Sequence, residues 1–262
     1  MPDVDSVLTD LRAESADLDA LVADRSEADF ARATPASGWT VAHQIAHLVW
    51  TDRVATISAT DPDAFMMLLS GAAEDPGGFV DRGAVENIAP PPELLARWRA
   101  GRDELAEALH AASGRLPWFG MTMSPVSMAT GRIMETWAHG LDVADALGVN
   151  RPPTERLRHV AFLGYRAIGH SFAVNGRPEP TGPVRVELAA PDGGTWAYGP
   201  EDAADRVIGP ALDFCLLVTQ RRHPADLALQ ASGPVASEWM EIAQAFAGPP
   251  GAGRQPSALT KP

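Results

Sequence analysis

Three residues in two separate stretches of this chain could hold one divalent cation. Glu135 and His139, in Met134-Glu135-Thr136-Trp137-Ala138-His139-Gly140, are four residues apart. In a helix that spacing stacks both side chains on one face. A carboxylate oxygen and an imidazole nitrogen then reach toward a common point. His47, in Gly38-Trp39-Thr40-Val41-Ala42-His43-Gln44-Ile45-Ala46-His47-Leu48, could complete the set from another helix. Three protein ligands and an open position are what a catalytic zinc requires. A His/Glu/His set also suits Ni, Fe or Co.

Each residue has a plainer reading. A histidine on an apolar helix is commonly a hydrogen-bonded core residue, and Glu-x-x-x-His is a common surface pair. Glu135, however, lies among Ile133, Met134, Trp137, Ala138 and Leu141. An unpaired carboxylate there would be costly to bury. A metal ion, or an arginine such as Arg132 or Arg166, would offset that cost. His43, four residues before His47, could form an alternative ligand pair with it. Asp142 shares the face of Glu135 and His139, either as a fourth ligand or as an acceptor that holds an imidazole N–H. His170 is a remaining contributor, whereas His110, His159 and His223 read as surface residues.

The elements that would position these residues are mostly helical. Residues 4–27 repeat Val7, Leu8, Leu11, Leu18, Leu21 and Val22 at helical spacing, as an amphipathic helix does. Thr40 is an N-cap for a helix to about Thr60. Residues 61–92 read as irregular, with Asp75-Pro76-Gly77-Gly78 and Pro90-Pro91-Pro92 and a helical fragment around Phe65–Leu69. A loop of that length would be a lid or binding element. A helix follows from about Glu93 to Ala112. Ser124-Pro125 starts another, which stops at Gly148, and Pro152-Pro153 opens one through about Val174. Short connections favour an antiparallel bundle. After Gly176 the period changes to two: Val184–Leu188 reads as a strand, Asp192-Gly193-Gly194 as a turn and Thr195–Tyr198 as the returning strand. Residues 201–208 read as a third strand or a helix start, and 209–221 and 235–247 as helices.

Composition narrows the setting. Thirty-four acidic residues against 21 basic ones give a net charge of −13, which disfavours sequence-independent binding to nucleic acid. Lys261 is the one lysine, an arginine-rich bias that accompanies GC-rich coding. One cysteine, Cys215, excludes an internal disulfide framework and a Cys-rich metal site. Its run Leu212–Val218 reads as core. The acidic N-terminus lacks a signal-peptide pattern, and no apolar run approaches the roughly 20 residues of a membrane span. The expectation is a soluble, cytoplasmic protein with a small-molecule substrate, no nucleic-acid or membrane partner, and a monomeric or homodimeric state.

The phrases Gly38-Trp39-Thr40 with Ala46-His47-Leu48, and Glu135-x-x-x-His139-x-x-Asp142-Val143-x-x-Ala146-x-Gly148, resemble the mycothiol-dependent maleylpyruvate isomerase family. That family belongs to the wider DinB-like metal-binding helical bundles. Met134–Gly140 is similar to an actinobacterial subgroup of metal-binding proteins. The resemblance covers nearly the whole chain and is most specific over Met121–Gly148. It implies a mainly α fold, with a DinB-like four-helix bundle over residues 1–176 and a small α/β domain similar to sterol-carrier folds over 177–250; the Gly- and Pro-rich composition of the end makes 251–262 an extended tail. It implies that His47, Glu135 and His139 hold the divalent ion, normally zinc. The phrase Gly209-Pro210-Ala211-x-Asp213-Phe214-x-Leu216-Leu217 followed by Arg221-Arg222 fits the family's C-terminal helix. An arginine there is implicated in binding substrate or thiol, and Arg221 and Arg222 both suit the place. A plainer role is to cap a helix C-terminus.

Three functions follow as expectations. One is a metal-dependent thiol enzyme that uses mycothiol for isomerisation or S-transfer on an electrophile, with Arg221 or Arg222, Arg82 and Arg132 as candidates to pair with a substrate carboxylate. The second keeps the metal without the thiol, as a hydrolase, lyase or cyclase in secondary-metabolite tailoring. The third is a non-enzymatic carrier or sensor built on the apolar C-terminal domain. A shared fold does not by itself choose among them.

Overall fold

In the computed structural model, which describes residues 3–75, 78–251 and 253–257, helices of the first unit begin on caps the sequence supplies. The Asp3 carboxylate accepts from Ser6 N–H at 2.8 Å and opens α1 (Val4–Val22). A second cap, the Ser26–Asp29 box, opens a one-turn α2 (Glu27–Phe30). The first helix therefore stops at Val22, short of residue 27, because Ser26 and Asp29 satisfy the free N–H groups of a new start. Thr40 caps α3 (Val41–Thr60) together with His43, whose Nδ1 accepts from the Thr40 backbone N–H at 3.2 Å.

Residues 61–92 are not irregular. They carry α4 (Pro62–Glu74) and α5 (Phe79–Glu86). The reason is Asp61-Pro62, a cap followed by proline in the first turn: Asp61 accepts from Ala64 N–H at 3.0 Å. Of the expected turn Asp75–Gly78, Pro76 and Gly77 lie outside the described residues. Gly83 lets α5 approach α3, since a Cβ there would come 2.5 Å from the Trp50 indole. Then come α6 (Pro91–Ala111), the hairpin β1 (Leu116–Trp118) and β2 (Met121–Met123), and α7 (Pro125–Leu147). Gly148, at φ +69°, ends α7 in the left-handed conformation.

The four long helices form a bundle in which α1 packs on α7, and α3 on α6 and α7. Val7, Leu8, Leu11, Leu105 and Met128 fill one end of its core, and Leu18, Ile45, Leu48, Leu94 and Trp98 the other. Each such side chain stabilises the fold by about 1.5–3 kcal/mol on burial. Arg99 and Arg102 of α6 clasp Asp19 of α1 at 2.6 and 2.9 Å.

A second compact unit starts at Pro152, earlier than the boundary expected at residue 177. It contains α8 (Leu157–Arg166), α9 (Ile168–Val174), β3 (Val184–Ala189), β4 (Thr195–Tyr198), β5 (Asp205–Pro210), α10 (Ala211–Val218), β6 (Gln230–Ser232) and α11 (Pro234–Ile242). The expected single helix over 153–174 begins at Leu157 and breaks at Ala167. Both pieces belong with the sheet. Gly164 brings α8 against Val218 of α10, and the Cys215 thiol donates to Leu157 O at 3.5 Å. Ser171 of α9 donates to Gln244 O at 3.1 Å. The sheet runs β4-β3-β5-β6, with β3 and β5 parallel and both outer pairs antiparallel. Val184, Val186 and Leu188 point to its covered face. Of the expected tail, 252 and 258–262 lie outside the described residues, and Ser257 is tied to Asp226 at 2.6 Å. No helix among the described residues is long and apolar enough to cross a membrane. The chain is mainly α, a helical bundle followed by a small α/β unit.

Candidate metal centre

α3 and α7 bring His47, Glu135 and His139 together. Glu135 Oε2 lies 3.4 Å from His47 Nε2 and 3.2 Å from His139 Nε2, and one ligand atom from each residue falls within 4.8 Å of the others. Among the described residues this is the one group of three such side chains. All three are largely buried, with Glu135 and His139 keeping a narrow exposure to solvent.

A chain of hydrogen bonds fixes how His139 presents itself. It ends on Trp39 O, a backbone carbonyl that can only accept. The Thr34 hydroxyl spends its proton on that carbonyl at 2.9 Å. Thr34 Oγ1 therefore accepts from Gln44 Nε2, also at 2.9 Å. The other atom of the Gln44 amide is then its oxygen, which faces His139 Nδ1 at 2.6 Å. Nδ1 must carry the proton. A neutral His139 consequently aims the bare lone pair of Nε2 at a carboxylate oxygen 3.2 Å away. Two acceptors at that distance repel unless a cation sits between them. A proton could do this for one pair. A divalent ion would do it for both imidazoles and the carboxylate at once, and two nitrogens with one oxygen are a donor set for zinc. The residues fit a metal. Only His139 is anchored in this way: His47 Nδ1 is buried without a hydrogen-bond partner.

Behind Glu135 lies a second charged layer. Arg132 Nη2 stands 3.9 Å from Glu135 Oε1, and Nη1 stands 3.9 Å from Asp52 Oδ1 of α3. Both separations exceed hydrogen-bond length, yet the guanidinium acts on both charges. Burial works against ionisation of Glu135, whereas a proton on Nε2 of His139 or His47 and the charge of Arg132 pull its carboxyl well below the usual range. Burial pushes the Asp52 carboxyl up to about 6, against the pull of Arg132 and with the repulsion of Glu135.

The other sequence candidates fall elsewhere. His43 serves the α3 cap and is outside the ligand group. Asp142 is buried on α7, also outside the group. Arg82 pairs with Asp75 at 3.0 Å on the half-exposed flank of α5. His110 is exposed against Asp5, as expected, whereas His159 is buried because α8 packs into the second unit. His170 and Arg166 belong to that unit, as do Arg221 and Arg222. Gln220, with φ +55°, closes α10 in the left-handed conformation, and Arg221 N–H reaches back to Leu216 O at 2.8 Å. Arg221 Nη1 donates to Thr219 O and Arg222 Nη1 to Arg221 O, both at 2.7 Å. Sequence reading missed Gln44, Thr34 and Asp52. The available signal was an amide, Gln44, set inside the apolar stripe of Val41, Ile45 and Leu48, three residues before His47.

A family model described as the mycothiol maleylpyruvate isomerase N-terminal domain matches residues 11–144, and one described as wyosine base formation matches residues 180–232. Proteins described as uncharacterized from two strains of Mycobacterium tuberculosis are each 56% identical over 257 residues, 97% of this chain and 100% of theirs. A crystal structure of the mycothiol-dependent maleylpyruvate isomerase is similar with a TM-score of 0.59 at 17% identity, covering 88% of this chain and 93% of that one. A mutant of that enzyme matches with the same TM-score at 16% identity. At these identities the likeness speaks for the fold, and the first family model spans just over half of the residues. The chain belongs to the family of the mycothiol maleylpyruvate isomerase N-terminal domain.

Proposed function

We propose that this protein is a divalent-metal enzyme, zinc in the first instance, that works with mycothiol on a small electrophilic substrate bearing a carboxylate, by isomerisation or S-transfer. The observation that carries the reading is the convergence of His47, Glu135 and His139, with the His139 tautomer fixed through Gln44. The thiol is supported by the family and by the structural relatives, which are mycothiol-dependent. When bound, a divalent ion supplies a Lewis acid and favours a thiolate at neutral pH.

The chain's own residues do the rest. Gln44 keeps the Nε2 lone pair of His139 available. Arg132 occupies the Oε1 side of Glu135 and leaves Oε2 to the ligand side. The attacking thiol is not the protein's own. Cys215 is fully buried, its Sγ–H donates to Leu157 O, and burial pushes the thiol pKa up.

Elemental analysis of purified protein beside Glu135→Ala and His139→Ala is the test. About one zinc per wild-type chain, lost in both folded variants, is expected, with turnover of an electrophile only when the thiol is added. A well-folded wild type that takes up no divalent ion on titration refutes the metal. Turnover indifferent to thiol refutes the cofactor.

A further inference from the structure

Five aromatic side chains from four stretches of sequence gather beside the ligand cluster. The Trp39 ring lies 5.3 Å from that of His47 and stacks on His139 at 6.0 Å. Trp50 lies 5.8 Å from His47 and meets Phe79 edge-on at 5.2 Å. Phe79 meets Phe119 at 6.0 Å, and Phe119 meets Trp118 at 5.0 Å. Trp118 then carries the Arg132 guanidinium at 5.5 Å, and Arg132 stands 3.9 Å from Glu135. The contacts leave one ligand, His47, pass along four rings, and return through Arg132 to another ligand, Glu135.

A packing cluster would bury these rings. Trp98, Trp239 and Phe214, in the cores, are 0% exposed. Trp118 and Phe119 rest on the fully buried Phe65 at 5.9 and 5.6 Å, yet they, like Trp39, Trp50 and Phe79, are themselves part-buried. Gly120, at φ +72°, makes the tight turn that holds Trp118 and Phe119 at the hairpin tip. Arg132 adds an independent sign of a ligand. Its side chain is 5% exposed, yet Nε and Nη1 have no hydrogen-bond partner, and buried donors in that condition call for a water or an anion.

We propose that this side of the metal centre selects a substrate with a flat aromatic body joined to an anionic head, the rings taking the body and the ion the head. The inference rests on the metal reading above. Part-exposed rings gain by stacking and by losing water when a flat ligand covers them, whereas an aliphatic ligand of equal charge gains little.

The test uses the full chain loaded with cobalt(II) and three probes: acetohydroxamate, benzohydroxamate and 2-naphthohydroxamate. Perturbation of the cobalt absorption bands gives each affinity. Both aromatic probes are expected to bind at least about tenfold more tightly than acetohydroxamate. Trp50→Ala and Phe119→Ala should each cut that ratio about threefold or more while leaving acetohydroxamate binding unchanged. A cobalt-loaded wild type that binds all three alike overturns this inference and leaves the metal reading standing. A ratio untouched by both substitutions also overturns it, because the preference then arises elsewhere. Failure of the folded chain to bind cobalt at all overturns both readings.

Discussion

Replacing Gln44 with leucine separates a metal centre from a chance meeting of three polar side chains. Gln44 is fully buried and its amide oxygen lies 2.6 Å from His139 Nδ1. Leucine keeps the volume and removes the acceptor. In the metal-bound state Nδ1–H is then buried without a partner, at a cost of about 1–3 kcal/mol. The metal-free state escapes that cost. There the ring moves its proton to Nε2 and donates to Glu135 Oε2, 3.2 Å away. The penalty therefore falls on the bound state and weakens the ion by about 5- to 150-fold, since each 1.4 kcal/mol is a factor of ten. Losses of about 10- to 100-fold are typical when such a supporting partner is removed.

Competition between the protein and a chelator for zinc at pH 7.5 measures this directly, with circular dichroism to establish folding. Gln44→Glu is the matching variant. It restores an acceptor, and the Thr34 hydroxyl can turn its proton toward the new carboxylate, so affinity should stay within about threefold of wild type or rise. A folded Gln44→Leu protein that binds zinc as wild type does would falsify the tautomer reasoning. Equal losses in the leucine and glutamate variants would reduce Gln44 to a matter of shape.

Two further predictions concern titratable groups. Asp52 has a folded pKa of about 6 against an ordinary 3.8, so the folded state holds the proton more tightly. The resulting stability is full below pH 3.8 and is lost as pH rises through 6, about 3 kcal/mol in all. Urea unfolding of the metal-free protein between pH 4 and 7 should show this fall in wild type relative to Asp52→Asn, and parallel curves would refute it. Cys215, at 0% exposure with its thiol pushed up by burial, should react with a thiol reagent only after denaturation, and Cys215→Ala should retain thiol-dependent turnover. Rapid labelling of the native protein would contradict its placement.

The bundle was legible because its signals are local. Thr40, Ser124-Pro125 and Gly148 mark helix ends through groups within four residues, and the structure uses all of them. Asp61-Pro62 is the same kind of signal, but the helix breakers at 76–78 and 90–92 in the same stretch mask it. The short hairpin Leu116–Met123 was missed for another reason: its strands have three residues each, too few for period two to show. The break between units was misplaced because Asn175-Gly176 ends a helix without ending a unit. What assigns α8 to the sheet is the fit of Gly164 against Val218, a contact across more than fifty residues.

The candidate triad and its support differ in the same respect. Glu135 and His139 advertise themselves by spacing along one helix. Gln44 does not, because a buried glutamine is as consistent with structure as with chemistry. Its meaning comes from direction. Trp39 O can only accept, so Thr34 must donate to it, Gln44 must donate to Thr34, and His139 must donate to Gln44. Each step depends on which atom faces which, and no spacing encodes that. In a neutral His139 the same orientation leaves an unprotonated imidazole nitrogen facing a carboxylate oxygen. A doubly protonated His139 would satisfy Gln44 and Glu135 together, but it serves one histidine–carboxylate pair, whereas a divalent ion serves His47, Glu135 and His139 at once. The directed chain thus fixes Nδ1 of His139 as a donor, and the meeting of all three side chains is what fits a metal, on grounds independent of family membership.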